Sequence, residues 1–141
     1  MLNAAVIIDA GPLAALVHDR DQYHAWVRQQ ASQLKAPFLT CDAVLSETWF
    51  LLRNLPKAQD KLLALWQQGL IRSDFDSASE TDKLIELLRK YANVPMSFAD
   101  ACLLRMSELQ ANSVVFTADS DFLIYRQNRN QTIHQVFPQQ P

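Results

Sequence analysis

Apolar residues in this chain follow two patterns, short continuous runs and stripes that recur with the period of a helix. The continuous runs cover residues 4–8 and 113–117, and such runs are typical of strands buried on both faces. Weaker strand patterns lie at 37–41, 70–73 and 132–136. Helix-period stripes predict helices at about 12–18, 22–34, 43–55, 56–68, 78–91 and 98–111.

Several predicted helix ends are marked by residues that favour those positions. Asp21 and Asp42 stand where a side chain can cap a first turn, and Pro12 suits the first turn of the helix after residue 8. Pro56 ends one helix pattern. Gly69 closes the next, because glycine readily adopts the left-handed conformation that often follows a helix.

Strands and helices alternate along the whole chain. This alternation predicts an α/β fold, with a mainly parallel central sheet flanked by helices in three layers. The length of 141 residues suits one domain, so we expect a single domain over 1–137 and a C-terminal tail over 138–141. In such sheets ligands bind beyond the carboxyl ends of the strands, and functional residues are expected there.

Composition argues against several classes of protein. The 13 basic and 15 acidic residues give a net charge of −2, which does not favour binding nucleic acid by charge alone. Only two glycines occur, so glycine-rich phosphate loops are absent. No membrane-length apolar run and no signal peptide are apparent, so we expect a cytoplasmic protein without membrane association. Cys41 and Cys102 fit that reducing compartment as small core residues.

Two of the buried strands run directly into aspartate. Asp9 follows the first strand, and Asp119 and Asp121 follow the strand at 113–117. Each has a local structural explanation, since aspartate is a favoured helix N-cap and is common in turns. Parallel strands end at one edge of a sheet, however, so these residues are also expected to lie together there.

Two further acids stand on predicted helices. Asp100 lies three residues after Ser97, a spacing that resembles a helix capping box. The helix that follows is apolar and should be buried, which makes an unpaired carboxylate at its start costly. Glu47 lies beside the apolar stripe of its helix, where an exposed surface glutamate is the alternative.

Taken together, the acids predict a cation site. Carboxylates that approach one another cannot all stay ionised without a partner. Mg²⁺ and Mn²⁺ prefer oxygen ligands, and the chain has no Cys and His spacing that would favour zinc.

Several sequence blocks resemble the signature motifs of PIN-domain nucleases, in the same order and over nearly the whole chain. The blocks read VIIDAGPL around Asp9, FADA around Asp100 and TADSDF around Asp119. A middle segment, LSET, carries Glu47 and is similar to the helix that brings the second acid in that family.

The resemblance implies a function and a set of site residues. It implies a Mg²⁺- or Mn²⁺-dependent endoribonuclease whose catalytic metal-site acids are Asp9, Glu47, Asp100 and Asp119, with Asp121 as an auxiliary metal-site acid. The family includes the toxins of VapC-type toxin–antitoxin pairs. An RNA substrate, an antitoxin protein as partner and a homodimer are therefore implied as well.

Residues around the acids add smaller expectations. Thr117 is expected to hydrogen-bond the carboxylates, although a β-branched strand residue is the alternative. Arg126 and Arg129 are candidate phosphate ligands, with a solvated loop as the alternative. Ser97 and Ser120 depart from many relatives, which have an acidic and a basic residue at these positions.

Other functions fit less well. A catalytically idle PIN-like module that binds RNA or a protein stays open as the alternative. A receiver-type phosphoacceptor domain needs adjacent acids after its first strand, and Asp9 has no acidic neighbour. A phosphatase with an Asp-x-Asp loop is disfavoured because Gly11 stands where the second aspartate belongs.

Overall fold

In the computed structural model, which describes residues 3–127 and 131–136, strands and helices alternate as the sequence predicts. The strands are β1 (Ala5–Ile8), β2 (Phe38–Leu39), β3 (Ile71–Arg72), β4 (Ser113–Phe116), β5 (Arg126–Gln127), β6 (Gln131–Thr132) and β7 (Gln135–Val136). The helices are α1 (Ala10–Val17), α2 (His24–Ala31), α3 (Asp42–Leu51), α4 (Pro56–Gln67), α5 (Thr81–Lys90) and α6 (Phe98–Leu109). Short 3-10 turns cover Ser77–Glu80 and Ser120–Leu123.

Five strands form one parallel sheet in the order β3-β2-β1-β4-β7. The chain first adds β2 and β3 on one side of β1 and later adds β4 and β7 on the other side. The strand order therefore reverses at the β1–β4 pair, and ligands of open α/β sheets bind at such a switch point. The predicted α/β fold with a mainly parallel sheet flanked by helices is confirmed.

The centre of the sheet is buried on both faces. Val6, Ile7 and Ile8 have no exposed surface, although successive side chains of a strand point to opposite faces. Trp26 of α2 packs edge-on against Phe116 of β4, with 5.6 Å between ring centroids. Most of α6 is also buried, as its apolar sequence predicts. A closely packed apolar core therefore supports the carboxyl edge of β1 and β4.

Two predicted helix caps differ from the structure. Asp21 accepts a hydrogen bond from Tyr23 N–H (2.8 Å) in a turn, and α2 begins only at His24. Asp42 lies inside the first turn of α3, where its carboxylate accepts a hydrogen bond from Ser73 Oγ (2.6 Å). Both carboxylates therefore hold loops instead of capping helices.

The last part of the chain is more divided than its sequence pattern suggests. The single strand predicted at 132–136 is replaced by β6 and β7, and β6 pairs antiparallel with β5.

Gly69 ends α4 with φ at 76°, as predicted. The predicted tail at 138–141 lies outside the described residues. None of the helices in the described part of the chain has the length and apolar character that a membrane crossing requires.

Candidate metal centre

Asp9 joins the end of β1 to the start of α1. Its N–H donates to Phe116 O (2.9 Å), which extends the pairing of β1 with β4. Its Oδ1 accepts from Ala10 N–H (2.7 Å), and its Oδ2 accepts from Thr117 Oγ1 (2.9 Å). The helix cap considered from the sequence is therefore present. It does not exhaust the carboxylate, because each oxygen has two lone pairs.

The residues after β4 form a linked turn. The buried Thr117 hydroxyl donates to Asp9 and accepts from Asp119 N–H (2.9 Å). Asp119 Oδ1 in turn accepts from Asp121 N–H (2.9 Å). One hydroxyl thus fixes the two strand-end acids relative to each other, which matches the expectation that Thr117 contacts the carboxylates.

Asp100 reaches the same edge of the sheet from the start of α6. Its N–H donates to Ser97 Oγ (3.0 Å), which is one half of the predicted capping box. Its Oδ2 accepts from Tyr125 Oη (2.9 Å). Tyr125 has no exposed surface and packs edge-on against Tyr91 and Phe122.

The contribution of Tyr125 was not predicted, because only the tertiary fold brings its hydroxyl to Asp100. The available signal was the apolar run FLIY after the last acidic block. A tyrosine buried by such a run requires a hydrogen-bond partner for its hydroxyl.

Asp9, Asp100 and Asp119 converge. One carboxylate oxygen from each lies within 4.8 Å of the other two. Asp9 and Asp100 are each only 8% exposed. Three carboxylate oxygens at this separation could together hold one cation that prefers oxygen ligands. The donor set is oxygen only, which suits hard cations.

The three acids lie in an open cleft of about 610 Å³. Glu47 of α3 and Asp121 also line this acidic cleft, but neither belongs to the close group of three. Among the residues described by the structure, no Lys, Arg or His lines it. A phosphate that enters the acidic cleft is therefore repelled unless a cation is bound.

Burial and repulsion raise the pKa of several acids in the acidic cleft. Burial is the main cause at Asp9 and Asp100, and it raises the pKa of Asp100 from 3.8 to about 6. Glu47 is exposed, as the surface alternative expects, and partial desolvation is the main cause of its raised pKa. The hydrogen bond from Tyr125 opposes the rise at Asp100, whereas the charge of Asp119 adds to the rise at all three. A bound cation offsets both the burial and the repulsion, so the site favours one.

Arg126, a predicted phosphate ligand, does not line the acidic cleft. Its Nη1 donates to the carbonyl oxygens of Leu123 (2.8 Å), Ile124 (3.0 Å) and Tyr125 (2.9 Å). Arg126 therefore closes the turn before β5 and begins that strand, so it lies neither at the metal-site acids nor in the solvated loop that was the alternative. Arg129 lies outside the described residues.

Comparison with known proteins identifies the family. The family model described as the PIN domain matches residues 6–127, which include all of β1 except its first residue, the elements from α1 to β5, and all five acids of the acidic cleft. The chain belongs to the PIN domain family. Membership supports a nuclease at the level of the family, and it confirms the resemblance that the sequence blocks indicated.

The PIN domain fold is also found in a solved toxin structure. The crystal structure of Mycobacterium tuberculosis VapC20, described as a sarcin-ricin loop cleaving toxin, matches with a TM-score of 0.71 and 21% sequence identity. The match covers 83% of this chain and 92% of that chain. The comparison with curated proteins gives no significant match. At this identity, the likeness to VapC20 shows the shared fold.

Proposed function

We propose that this PIN domain protein is an endoribonuclease that hydrolyses RNA phosphodiester bonds with Mg²⁺ or Mn²⁺ as cofactor. The observation that supports the metal most directly is the approach of three buried or half-buried carboxylates, from distant parts of the chain, to within 4.8 Å. Family membership supports the nuclease. The proposed catalytic residues are Asp9, Glu47, Asp100 and Asp119, with Asp121 as a fifth metal-site acid.

The proposed roles follow from the contacts of each residue. Asp9, Asp100 and Asp119 would hold the ion through their carboxylate oxygens. A divalent ion held there would supply Lewis-acid chemistry, namely activation of a water and stabilisation of negative charge on the leaving oxygen. Thr117 keeps the carboxylate of Asp9 oriented, and buried partners of this kind tune metal sites.

Glu47 and Asp121 act around the close group. Glu47 lines the acidic cleft from α3 and would orient the attacking water or accept its proton, a role that suits its raised pKa. Asp121 positions Asp119 through the hydrogen bond from its N–H. Its own carboxylate adds negative charge at the rim of the acidic cleft.

The direct test is cleavage of a structured RNA with Mg²⁺ or Mn²⁺, and with EDTA as the metal-free control. We expect wild type to cleave only with metal and Asp9→Asn to lose the activity. The matched control is Asp82→Asn, which removes an exposed acid from the first turn of α5. Equal cutting by wild type and Asp9→Asn would rule out the proposed site.

The second candidate is an idle PIN domain that binds RNA or a protein without cleaving. The convergence of the acids and their raised pKa values argue against it, because an idle module has no need to retain this cost. RNA binding without cleavage under every metal condition would favour the idle module.

We further propose that the protein is a cytoplasmic VapC-type toxin with an antitoxin protein as partner. The shared fold with a structure described as a toxin supports this assignment. Expression of wild type is expected to arrest bacterial growth, and Asp9→Asn is expected to be harmless at the same protein level. Growth that is unaffected by a soluble, active wild-type protein would contradict toxin function.

We also propose that residues 1–137 form one domain that assembles as a homodimer. Exposed apolar side chains on α3 and α4 support a protein interface, notably Phe50 (61% exposed) and Trp66 (50% exposed). Light scattering on the purified chain is expected to give twice the mass of 16.1 kDa. A monomer at micromolar concentration would contradict the homodimer.

A further inference from the structure

A second cleft, of about 450 Å³, lies between the end of α1 and the start of α4, and most of its charged lining residues are basic. His18 and Arg20 line it from the loop after α1, and Lys57 and Lys61 line it from the first turns of α4. Asp19 is the only acid among the described residues that line this basic cleft. Its composition is thus opposite to that of the acidic cleft.

Part of the positive charge in the basic cleft is uncompensated. Lys61 pairs with Asp19 (2.9 Å), which ties α4 to the loop after α1. Arg20 and Lys57 are exposed, and neither forms an ion pair or side-chain hydrogen bond within the described part of the chain. The ion pair therefore explains Lys61 as a structural residue, but it leaves these two cations without a structural role.

The two clefts share their walls. On one wall, Gly11 of α1 lines the acidic cleft, and His18, just after α1, lines the basic cleft. These two residues are seven positions apart, which corresponds to about 10 Å along the helix axis. On the other wall, Leu51 of α3 lines the acidic cleft and Asn54 lines the basic cleft. One strand of a nucleic acid helix carries a phosphate about every 3.4 Å along its axis, so about three phosphates span this separation.

Another group of cations is a weaker candidate. A cleft of about 220 Å³ is lined by Arg105 and Arg126 together with lysines of α5. Arg105 is paired with Glu80 and Glu108, and Arg126 is bound to backbone carbonyls. The cations of that cleft are therefore largely committed to the fold, unlike Arg20 and Lys57.

We propose that the basic cleft binds the RNA backbone beside the cleaved bond, with Arg20 and Lys57 contacting phosphates. The inference rests on the proposed ribonuclease function. The acidic cleft repels RNA, and the net charge of −2 supplies no general attraction, so binding requires a local positive surface close to the site. The basic cleft provides one at the distance of a few nucleotides. Phosphate contacts of this kind position the substrate without reading its sequence.

The test measures binding of a labelled single-stranded RNA in EDTA, where no cleavage occurs, as a function of salt. The double variant Arg20→Gln/Lys57→Gln removes two charges at exposed positions. The matched control, Lys35→Gln/Arg89→Gln, removes two exposed charges outside both clefts. Circular dichroism verifies that all forms are folded.

Loss of two phosphate contacts lowers the slope of log affinity against log salt by about 1.4 for a single strand. Between about 50 and about 200 mM salt, wild type and the control should therefore lose about sevenfold more affinity than the double variant. Equal slopes in the two double variants, or no RNA binding by wild type, would overturn the inference. If polyglutamate displaces the labelled RNA as well as unlabelled RNA does, the basic cleft binds an acidic protein segment and the inference is overturned.

The two proposals fail in distinguishable ways. RNA that is bound through Arg20 and Lys57 but never cleaved with Mg²⁺ or Mn²⁺ would contradict the ribonuclease and leave the RNA-binding cleft standing. Metal-dependent cleavage with a salt slope that the double variant leaves unchanged would contradict only the basic cleft.

Discussion

Replacement of Asp100 by asparagine should stabilise the metal-free protein at neutral and higher pH. The pKa of Asp100 rises from 3.8 to about 6 in the fold, mainly because the carboxyl is buried. A raised pKa means that the stability contribution of the protonated acid is complete below pH 3.8. This contribution is then lost as the pH rises through about 6. The uncharged amide avoids that loss and still accepts the hydrogen bond from Tyr125.

The magnitude follows from the shift. About two pKa units at 1.36 kcal/mol each correspond to about 3 kcal/mol. Asp100 faces an open, hydrated cleft, and screening reduces this value to roughly half. The ionised acid also interacts favourably with the N-terminus of α6, which the variant loses at a cost of roughly 0.5 kcal/mol. The net expectation is a gain of about 1 kcal/mol for Asp100→Asn.

The assay is urea unfolding in EDTA at several pH values, with Asp82→Asn as the matched control. Asp82 is an exposed acid in the first turn of α5, so its replacement loses only the interaction with the helix end. Asp100→Asn should exceed wild type by about 1 kcal/mol near pH 8, and the difference should vanish below about pH 4. Asp82→Asn should be slightly less stable than wild type.

Saturating Mn²⁺ should reverse the order of wild type and Asp100→Asn. A ligand at 100 times its Kd stabilises a folded protein by about 2.7 kcal/mol, and the variant should bind the ion more weakly. If Asp100→Asn is less stable than wild type in EDTA near pH 8, burial of the charged Asp100 carboxylate is not costly in the metal-free protein. An unchanged order in Mn²⁺ would refute the metal site.

Three other predictions concern the neighbours of the acids. Thr117→Val removes the hydroxyl that orients Asp9 and should lower RNA cleavage about 10- to 100-fold. The control Thr40→Val removes another buried hydroxyl, bonded to the carbonyl of Ile8. Each variant should lose ~1 kcal/mol of unfolding free energy, but Thr40→Val should keep its cleavage activity. Tyr125→Phe removes a hydrogen bond that lowers the pKa of Asp100, so the pH midpoint of Mn²⁺ binding should move up by about one unit. The control Tyr91→Phe should leave this midpoint unchanged. In calorimetric titrations of wild type, Mn²⁺ affinity should fall as the pH drops below about 6, because protons compete for the raised carboxyls; constant affinity down to pH 4 would contradict this.

The central strands and their acids were predictable because the sequence signal there is strong. β1 and β4 are continuous apolar runs. Asp9 follows the last residue of β1 directly, and Asp119 comes three residues after the end of β4. Parallel strands share a carboxyl edge, so the convergence of Asp9 and Asp119 follows from topology. The sequence signal at Asp100 is different. A carboxylate at the start of an apolar, buried helix is costly unless it has a partner.

Local and functional interpretations of these acids are not exclusive. Asp9 caps α1 through Oδ1, and Asp119 makes a turn with Asp121 through Oδ1. From the sequence alone, such contacts are alternatives to a metal site. In the structure they hold the carboxylates in place while further lone pairs face the acidic cleft.

The remaining features depend on contacts that no sequence pattern encodes. The strands of the β5–β6 pair are two residues long and polar, so they show no apolar periodicity. Tyr125 reaches Asp100 only in the folded chain. Leu51 falls on the helix-period apolar stripe of the pattern at 43–55, yet it is 44% exposed and lines the acidic cleft. Periodicity alone therefore does not separate a core position from the wall of a cleft.

The most direct test of the proposed metal centre is a crystal soaked in Mn²⁺ and measured for anomalous scattering. We predict an anomalous peak between the carboxylates of Asp9, Asp100 and Asp119, at about 2.1 Å from the nearest oxygens. Manganese bound elsewhere on the protein, with no peak between these three residues at a saturating concentration, would contradict the central claim.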